Sequence, residues 1–181
     1  MKKALLAIFF FLCGFAIYGT NTHASPIPVI LDEDFCTDVD DVMAVRVATS
    51  LAKAGVIDLK AVGLCTTGTA NVYAMHGLLS YDGFAGVPIG TSRLNIPDSS
   101  PYWGALWRGY CDTSTLVTAD AVELYKTILA GQTGKTRIIT TGYLTNIAEL
   151  LKDPVGYALV ASNVDMICVT GGSWPTGMAN N

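Results

Sequence analysis

Short apolar runs alternate with stretches of helical period along this chain, and that alternation restricts the fold more than any other feature. Ile27–Leu31 (IPVIL) reads as a buried strand. Asp40–Ala54 reads as a helix, with a polar stripe at Arg46, Thr49, Ser50 and Lys53, apolar residues around the rest, and Gly55 as its stop. A strand at Leu59–Cys65, a helix from about Ala70 to Phe84 and a short strand at Val87–Ile89 follow. Thr91–Thr115 carries Pro, Ser, Gly and aromatic residues without a period and is expected to be a long surface loop. Thr118 can cap a helix reaching Ala130, whose apolar face uses Val122, Tyr125, Ile128 and Leu129. Arg137–Thr140, Leu144–Leu151 and Val164–Val169 then read as strand, helix and strand. Repeated strand–helix units predict an α/β fold: an open, largely parallel Rossmann-like sheet with helices on both faces. Ligands of such sheets bind beyond the carboxyl ends of the strands. Three such ends stand out, Asp32–Asp41, Thr140–Asn146 and Thr170–Gly172. Gly142 and the Gly171-Gly172 pair are expected to ease the backbone at strand ends.

The first 24 residues stand apart from this pattern. Lys2 and Lys3 precede the apolar run Ala4–Tyr18, and the small-residue stretch GTNTHAS follows, the three-part pattern of a secretory signal peptide. The run is short for a membrane span, which needs about 20 residues. Cleavage near Ala24 leaves residues 25–181 as one α/β domain in an exported, periplasmic or extracellular protein, with no membrane partner after cleavage. Losing two of the 11 bases leaves nine against 15 acids, a net charge of −6. That acidic balance excludes the basic footprint a nucleic-acid partner requires. Four cysteines remain, Cys36, Cys65, Cys111 and Cys168, without a CxxC, which argues against zinc and leaves three disulfide pairings open. Cys65 and Cys168 fall in apolar runs and are expected to be buried thiols.

The chemistry concentrates after the first strand, in VILDEDFCTDVDDVMA. Asp32, Glu33, Asp34, Asp38, Asp40 and Asp41 are six acids in ten residues, and they repel one another unless a cation or hydrogen bonds compensate. Carboxylate oxygens are what hard divalent cations take as ligands. Acids in a first helical turn also favour the helix dipole, which accounts for Asp38 and Asp40 but not for acids on both sides of the turn. An EF-hand does not fit, lacking Gly at the sixth loop position and Glu at the twelfth. An aspartyl-phosphatase pattern begins correctly at Asp32 and Asp34 but has Cys36 where Thr or Val belongs, and leaves Asp40-Asp41 unexplained.

From here the chain resembles the inosine–uridine preferring nucleoside hydrolase family. The likeness rests on the strand followed by Asp32-Glu33-Asp34, a turn, and Asp40-Asp41-Val42-Met43-Ala44 opening a helix. IITTGYLTNIAELLKDP (Ile138–Pro154) resembles the family's TGxLTN strand–turn–helix, and a strand ending in Gly171-Gly172 completes the series in the family's order. The resemblance implies a Ca²⁺-dependent hydrolase that cleaves the N-glycosidic bond of ribonucleosides. By position it makes Asp34 the catalytic residue and a metal ligand, Asp41 a metal ligand, Thr141 a ligand through its backbone carbonyl, and Asp40 and Asn71 contacts to the ribose. The expected partner is a small-molecule nucleoside, and the resemblance also suggests a homo-oligomer.

Two departures qualify it. The turn Phe35-Cys36-Thr37-Asp38-Val39 is two residues longer than the family's and adds a carboxylate, so Asp38 is a further candidate ligand or a support for the loop. Family members also continue past the Gly-Gly strand, where a further metal aspartate and a histidine arise, so the chain is expected to be the N-terminal part of such a protein. His76, within a predicted helix, is expected to be a helix-surface or core residue. Tyr102, Trp103 and Trp107 are expected to anchor the long loop. Two other readings stay open: a non-catalytic exported protein that binds a cation or sugar with this fold, and a Mg²⁺-dependent phosphatase with Asp32 as nucleophile.

Overall fold

The protein is described from a computed structural model, which covers residues 25–35, 39–96 and 107–170. The first 24 residues, expected to be a signal peptide, and Cys36, Asp38, Tyr102, Trp103 and Gly171-Gly172 lie outside the described residues.

Six strands form one sheet: β1 (Ile27–Glu33), β2 (Ile57–Leu64), β3 (Ile89–Thr91), β4 (Thr118–Asp120), β5 (Thr136–Thr140) and β6 (Val164–Val169). Their order is β4-β3-β2-β1-β5-β6, and every neighbouring pair is parallel. Five helices join them: α1 (Val39–Lys53), α2 (Thr69–Tyr81), α3 (Ala121–Gly131), α4 (Thr145–Lys152) and α5 (Pro154–Asn163). Strand order runs outward from β1 to β4 and then returns to β5 on the other side of β1. The two chain paths therefore part between β1 and β5, the switch point at which open α/β sheets bind ligands.

Alternation along β1 feeds two cores. Leu31 joins Val45, Ala48, Met75, Leu78 and Ile89 beneath α1 and α2. Ile30 joins Val122, Tyr125, Leu129, Ile138 and Leu150 beneath α3, α4 and α5. Fully burying side chains of this size stabilises a fold by about 1.5–3 kcal/mol each, and this drives the two-sided covering.

Several elements differ from their sequence-based placement. Thr118 is not a helix cap. It begins β4, and Asp120 caps α3 by accepting from the Glu123 amide. The polar triplet Thr118-Ala119-Asp120 forms a strand because it pairs with β3 at the sheet edge, where no apolar run is required. β3 lies two residues later than expected, because Ile89–Thr91 is what registers against Val62–Leu64 while the Val87 amide is held in a turn by Phe84. α5 was not anticipated: Asp153 accepts from the Val155 and Gly156 amides and Pro154 occupies the first turn, but the helix shows no apolar stripe. Thr49 of α1 is buried rather than solvent-facing. It donates to Asp82 Oδ2 at 2.6 Å, while Arg46 binds Asp82 Oδ1 at 2.5 Å. The polar side of α1 thus meets the end of α2. Val39, Met43, Val47 and Leu51, at helical spacing, are 39–59% exposed.

Cys65 is buried as expected, but Cys168 is exposed because β6 is the edge strand with an open face. No disulfide joins Cys65, Cys111 or Cys168. His76 is fully buried, its ring nitrogens 3.3 Å from the hydroxyls of Ser80 and Thr115. Trp107 packs edge-on to Tyr81 at 5.6 Å and so ties its segment to α2. Among the described residues no helix is long and apolar enough to cross a membrane.

Candidate functional site

The carboxyl end of β1 carries three consecutive acids, and the strand sends them in different directions. Asp32 points to the α3–α4 face and is fully buried. Its Oδ2 accepts from the Tyr125 hydroxyl and, at 2.9 Å, from Asn146 Nδ2, which also reaches the Leu64 carbonyl at 3.2 Å. Burial pushes the Asp32 carboxyl up to about 6 against the pull of those two donors. Burial likewise pushes the Tyr125 hydroxyl well up, with the Asp32 charge adding to it.

Asp34 follows at the strand's end, half-buried. Its backbone carbonyl accepts from Thr66 Oγ1 at 2.9 Å. Asp41, in the first turn of α1, is 2% exposed and lies beside the Asp34 carboxyl. Burial, then that contact with Asp34, raises Asp41 to about 8. Thr141 Oγ1 donates to Asp41 Oδ1 at 3.0 Å, and the Thr141 amide donates to the Asp32 carbonyl at 2.9 Å. The turn after β5 is thereby stitched to both ends of the aspartate loop.

Of the residues singled out from the sequence, Asp34, Asp41 and Thr141 come together. Asp40, next to Asp41 in α1, is exposed and borders the groove lined by Met43, Val47 and Ile139. Asn71, 2% exposed in the first turn of α2, lies 3.4 Å from Thr66 Oγ1 through its amide nitrogen, and Thr66 Oγ1 in turn donates to the Asp34 carbonyl. Asp38 lies outside the described residues.

Four participants were not assigned a role from sequence. Tyr125 was read only as part of an apolar helix face, and Asn146 only as a motif letter. Phe35 has a positive φ of 31° and is 3% exposed, so its buried ring holds the turn in a backbone conformation that non-glycine residues rarely adopt. Glu33 is the fourth: fully buried, with its carboxyl raised well above the ordinary range by burial and then by Asp41. Gly142 serves a different purpose from the one expected. Its φ is not positive, but a Cβ there would overlap the Asp34 amide and crowd Cys65 Sγ at 2.8 Å, so only glycine lets the β5 turn lie against β1.

The donor set fits a hard cation in its chemistry: two paired carboxylates with a backbone turn bound to them. Among the described residues no three His, Cys, Asp or Glu side chains converge as a finished cage. A second observation bears on the same place. Of eight buried side-chain polar atoms without a hydrogen-bond partner among the described residues, five are Asp32 Oδ1, both Glu33 oxygens, Thr140 Oγ1 and Thr145 Oγ1. All five sit at the carboxyl ends of β1 and β5 or on the first residue of α4. Buried polar atoms are normally satisfied, and these five lie together at the strand ends of the switch point.

No protein-family description matches the sequence, and no curated protein matches it either. Solved structures do match in fold. The type III effector XopQ, whose structure was solved with adenosine diphosphate ribose, superposes with a TM-score of 0.70 at 22% identity over 83% of this chain and 46% of its own. An inosine–uridine preferring nucleoside hydrolase from Bacillus anthracis gives 0.62 at 18% identity, over 83% of this chain and 52% of its own. A plant nucleoside hydrolase, PpNRh1, gives 0.64 at 22% identity, over 82% and 48%. The chain has a nucleoside hydrolase-like fold and spans about half the length of the structures it matches.

Proposed function

We propose that this chain forms the metal-binding half of a ribonucleoside N-glycoside hydrolase site, and that it works outside the cytoplasm. The observation that carries the reading is the paired Asp34 and Asp41 carboxyls at the β1–β5 switch point, tied to the Thr141 turn. The ligand class is supported by the neighbours: some are nucleoside hydrolases and another was solved with a ribose-containing nucleotide. What these share is a ribosyl group.

Asp34, Asp41 and the Thr141 carbonyl would hold a Ca²⁺ ion, with Asp38 as a further donor. Such an ion lowers the pKa of a bound water and fixes its position. Asp34, half-buried at the mouth of the site, is the group placed to accept a proton from an attacking water. Asp40, exposed beside it, offers a carboxylate to ribose hydroxyls. The anionic surroundings favour the positive charge that develops on the sugar as the C–N bond breaks. The phosphatase reading loses its footing, since Asp32 is fully buried and its Oδ2 is engaged by Tyr125 and Asn146.

The test is ribose release from inosine and uridine by the full chain with Ca²⁺ and with a chelator. Release that is abolished by chelation and falls about 10³-fold or more in Asp34→Asn is expected, a loss on the scale of removing a group that acts on the reacting water. A wild-type protein that binds Ca²⁺ and a nucleoside yet releases no ribose would instead establish the non-catalytic binding reading.

A further inference from the structure

The turn that follows β5 is held at both of its ends by one residue of β1. At its start the Thr141 amide donates to the Asp32 carbonyl at 2.9 Å. Just past its end, Asn146 Nδ2 donates to Asp32 Oδ2 at 2.9 Å and to the Leu64 carbonyl at 3.2 Å. Asp32 thus grips the segment once through its main chain and again through its side chain. Between the two holds, Gly142 lies against β1, where a Cβ would overlap the Asp34 amide, while Tyr143 and Leu144 face outward, 50% and 45% exposed.

Composition alone would place an apolar residue at position 146. Asn146 is the second residue of α4 and 1% exposed, and Ile147 and Leu150 of the same helix belong to the core. A buried amide costs free energy unless it is hydrogen-bonded, and a leucine would fill similar space without that cost. The two acceptors that Asn146 meets also fix its orientation, since only the NH₂ side of the amide can donate to a carboxylate and a carbonyl together. The start of α4 has no cap of its own: Leu144 stands at that position, and no side-chain cap hydrogen bond forms there. Asn146 is therefore what pins the start of α4 to β1 and β2. At the other end of the turn, Thr141 Oγ1 donates to Asp41 Oδ1 at 3.0 Å, so the segment that Asn146 pins is the one that meets the buried acid of α1.

We infer that Asn146 is a positioning residue: acting through Asp32, it fixes the turn after β5 and so sets Thr141 against Asp41. The inference rests on the proposed cation site and adds to it the side chain that holds one of its ligands in place. Asn146 acts at a remove, through hydrogen bonds to Asp32 and Leu64.

Tyr125 supplies the control. Its hydroxyl donates to the same Asp32 oxygen, but from α3, which does not carry the turn. Asn146→Leu and Tyr125→Phe each remove one donor from that oxygen, and only the first unpins the turn. Amide hydrogen exchange of the full chain in chelator is read for both variants, and Ca²⁺ affinity by calorimetric titration. Exchange at Thr141 is referred to the Val62 amide, which donates to the Pro88 carbonyl in the centre of the sheet and reports global opening. In Asn146→Leu the Thr141 amide is expected to exchange about 10–100-fold faster on that scale, the factor for losing a hydrogen bond to a charged acceptor. Ca²⁺ affinity is expected to fall by about 10–100-fold, the range for partners standing behind metal ligands. Tyr125→Phe is expected to lower the unfolding temperature and leave both readouts at their wild-type values. Unchanged relative exchange of Thr141 in Asn146→Leu overturns the inference. An equal rise in the two variants overturns it as well, because Asn146 is then an ordinary support of Asp32. A loosened turn with wild-type Ca²⁺ affinity also overturns it and leaves the cation site standing. If wild type takes up no Ca²⁺, the cation reading falls and this inference with it. Asn146→Ala carries the same readouts should the leucine variant not fold.

Discussion

Tyr125 shows how one side chain can serve two masters: its ring belongs to the core beneath α3, and its hydroxyl belongs to Asp32. The arrangement depends on Gly63 of β2, because a Cβ at that position would overlap the Tyr125 hydroxyl and come within 2.7 Å of Asp32 Oδ2. Gly63→Ala must therefore displace a buried hydrogen bond as well as fit a methyl group into packed space. A loss of about 1–3 kcal/mol in urea unfolding is expected, the usual range for overpacking. An unchanged midpoint would mean that Tyr125 shifts freely and that its bond to Asp32 contributes nothing. The sequence could not disclose this contact. A tyrosine at a helix-period apolar position is read as core, and a sequence separation of 93 between the partners leaves no local trace. Asp34 and Asp41 were conspicuous for the opposite reason: a concentration of like charge is something a bare fold avoids.

The elements were legible where a period ran long enough. Helices α1 and α2 and strands β1, β2, β5 and β6 were placed within a few residues. What failed were short or weakly patterned pieces. β4 is three residues long and mostly polar, and α5 begins with a capping signal but continues without an apolar face. The polar stripe of α1 misled in a more instructive way. Arg46, Thr49 and Lys53 do not face water alone but converge on Asp82, just past the end of α2, at 2.5, 2.6 and 3.8 Å. Polarity in a helix marks water or a polar partner, and periodicity cannot distinguish them. Asp82, 5% exposed, is the anchor that docks the two helices. Asp82→Ala is expected to cost about 1.5–3 kcal/mol, the range for hydrogen bonds to a charged group. Its Ca²⁺ affinity should equal that of wild type. A matching loss of affinity would show that α1 docking and the site are coupled.

Across the whole molecule the buried acids set the response to pH. Folding raises Asp32 from an ordinary 3.8 to about 6 and Asp41 from 3.8 to about 8, chiefly through burial. Both groups hold protons more tightly folded than unfolded. Their contribution is therefore complete below about pH 4 and is lost as pH rises through 6 and then 8. In chelator, thermal stability should fall from about pH 4 to about pH 8, with about 3 kcal/mol from Asp32 alone, lost between about pH 4 and 6. Added Ca²⁺ should restore most at the alkaline end, and a flat profile in chelator would show that burial does not make these acids hold their protons more tightly. The same sheet explains why the aspartate turn can depart in length from the family it resembles. Because the β1 and β5 crossovers leave in opposite directions, the ground between them belongs to neither. A residue inserted there disturbs no strand register. Closing a somewhat longer loop adds only a few tenths of a kilocalorie, roughly, since the entropy grows with the logarithm of length. The seam of the sheet is thus the cheapest ground on which such a protein can vary, and it is also where ligands of open α/β sheets bind. Diversity in what is recognised needs no revision of the fold beneath it.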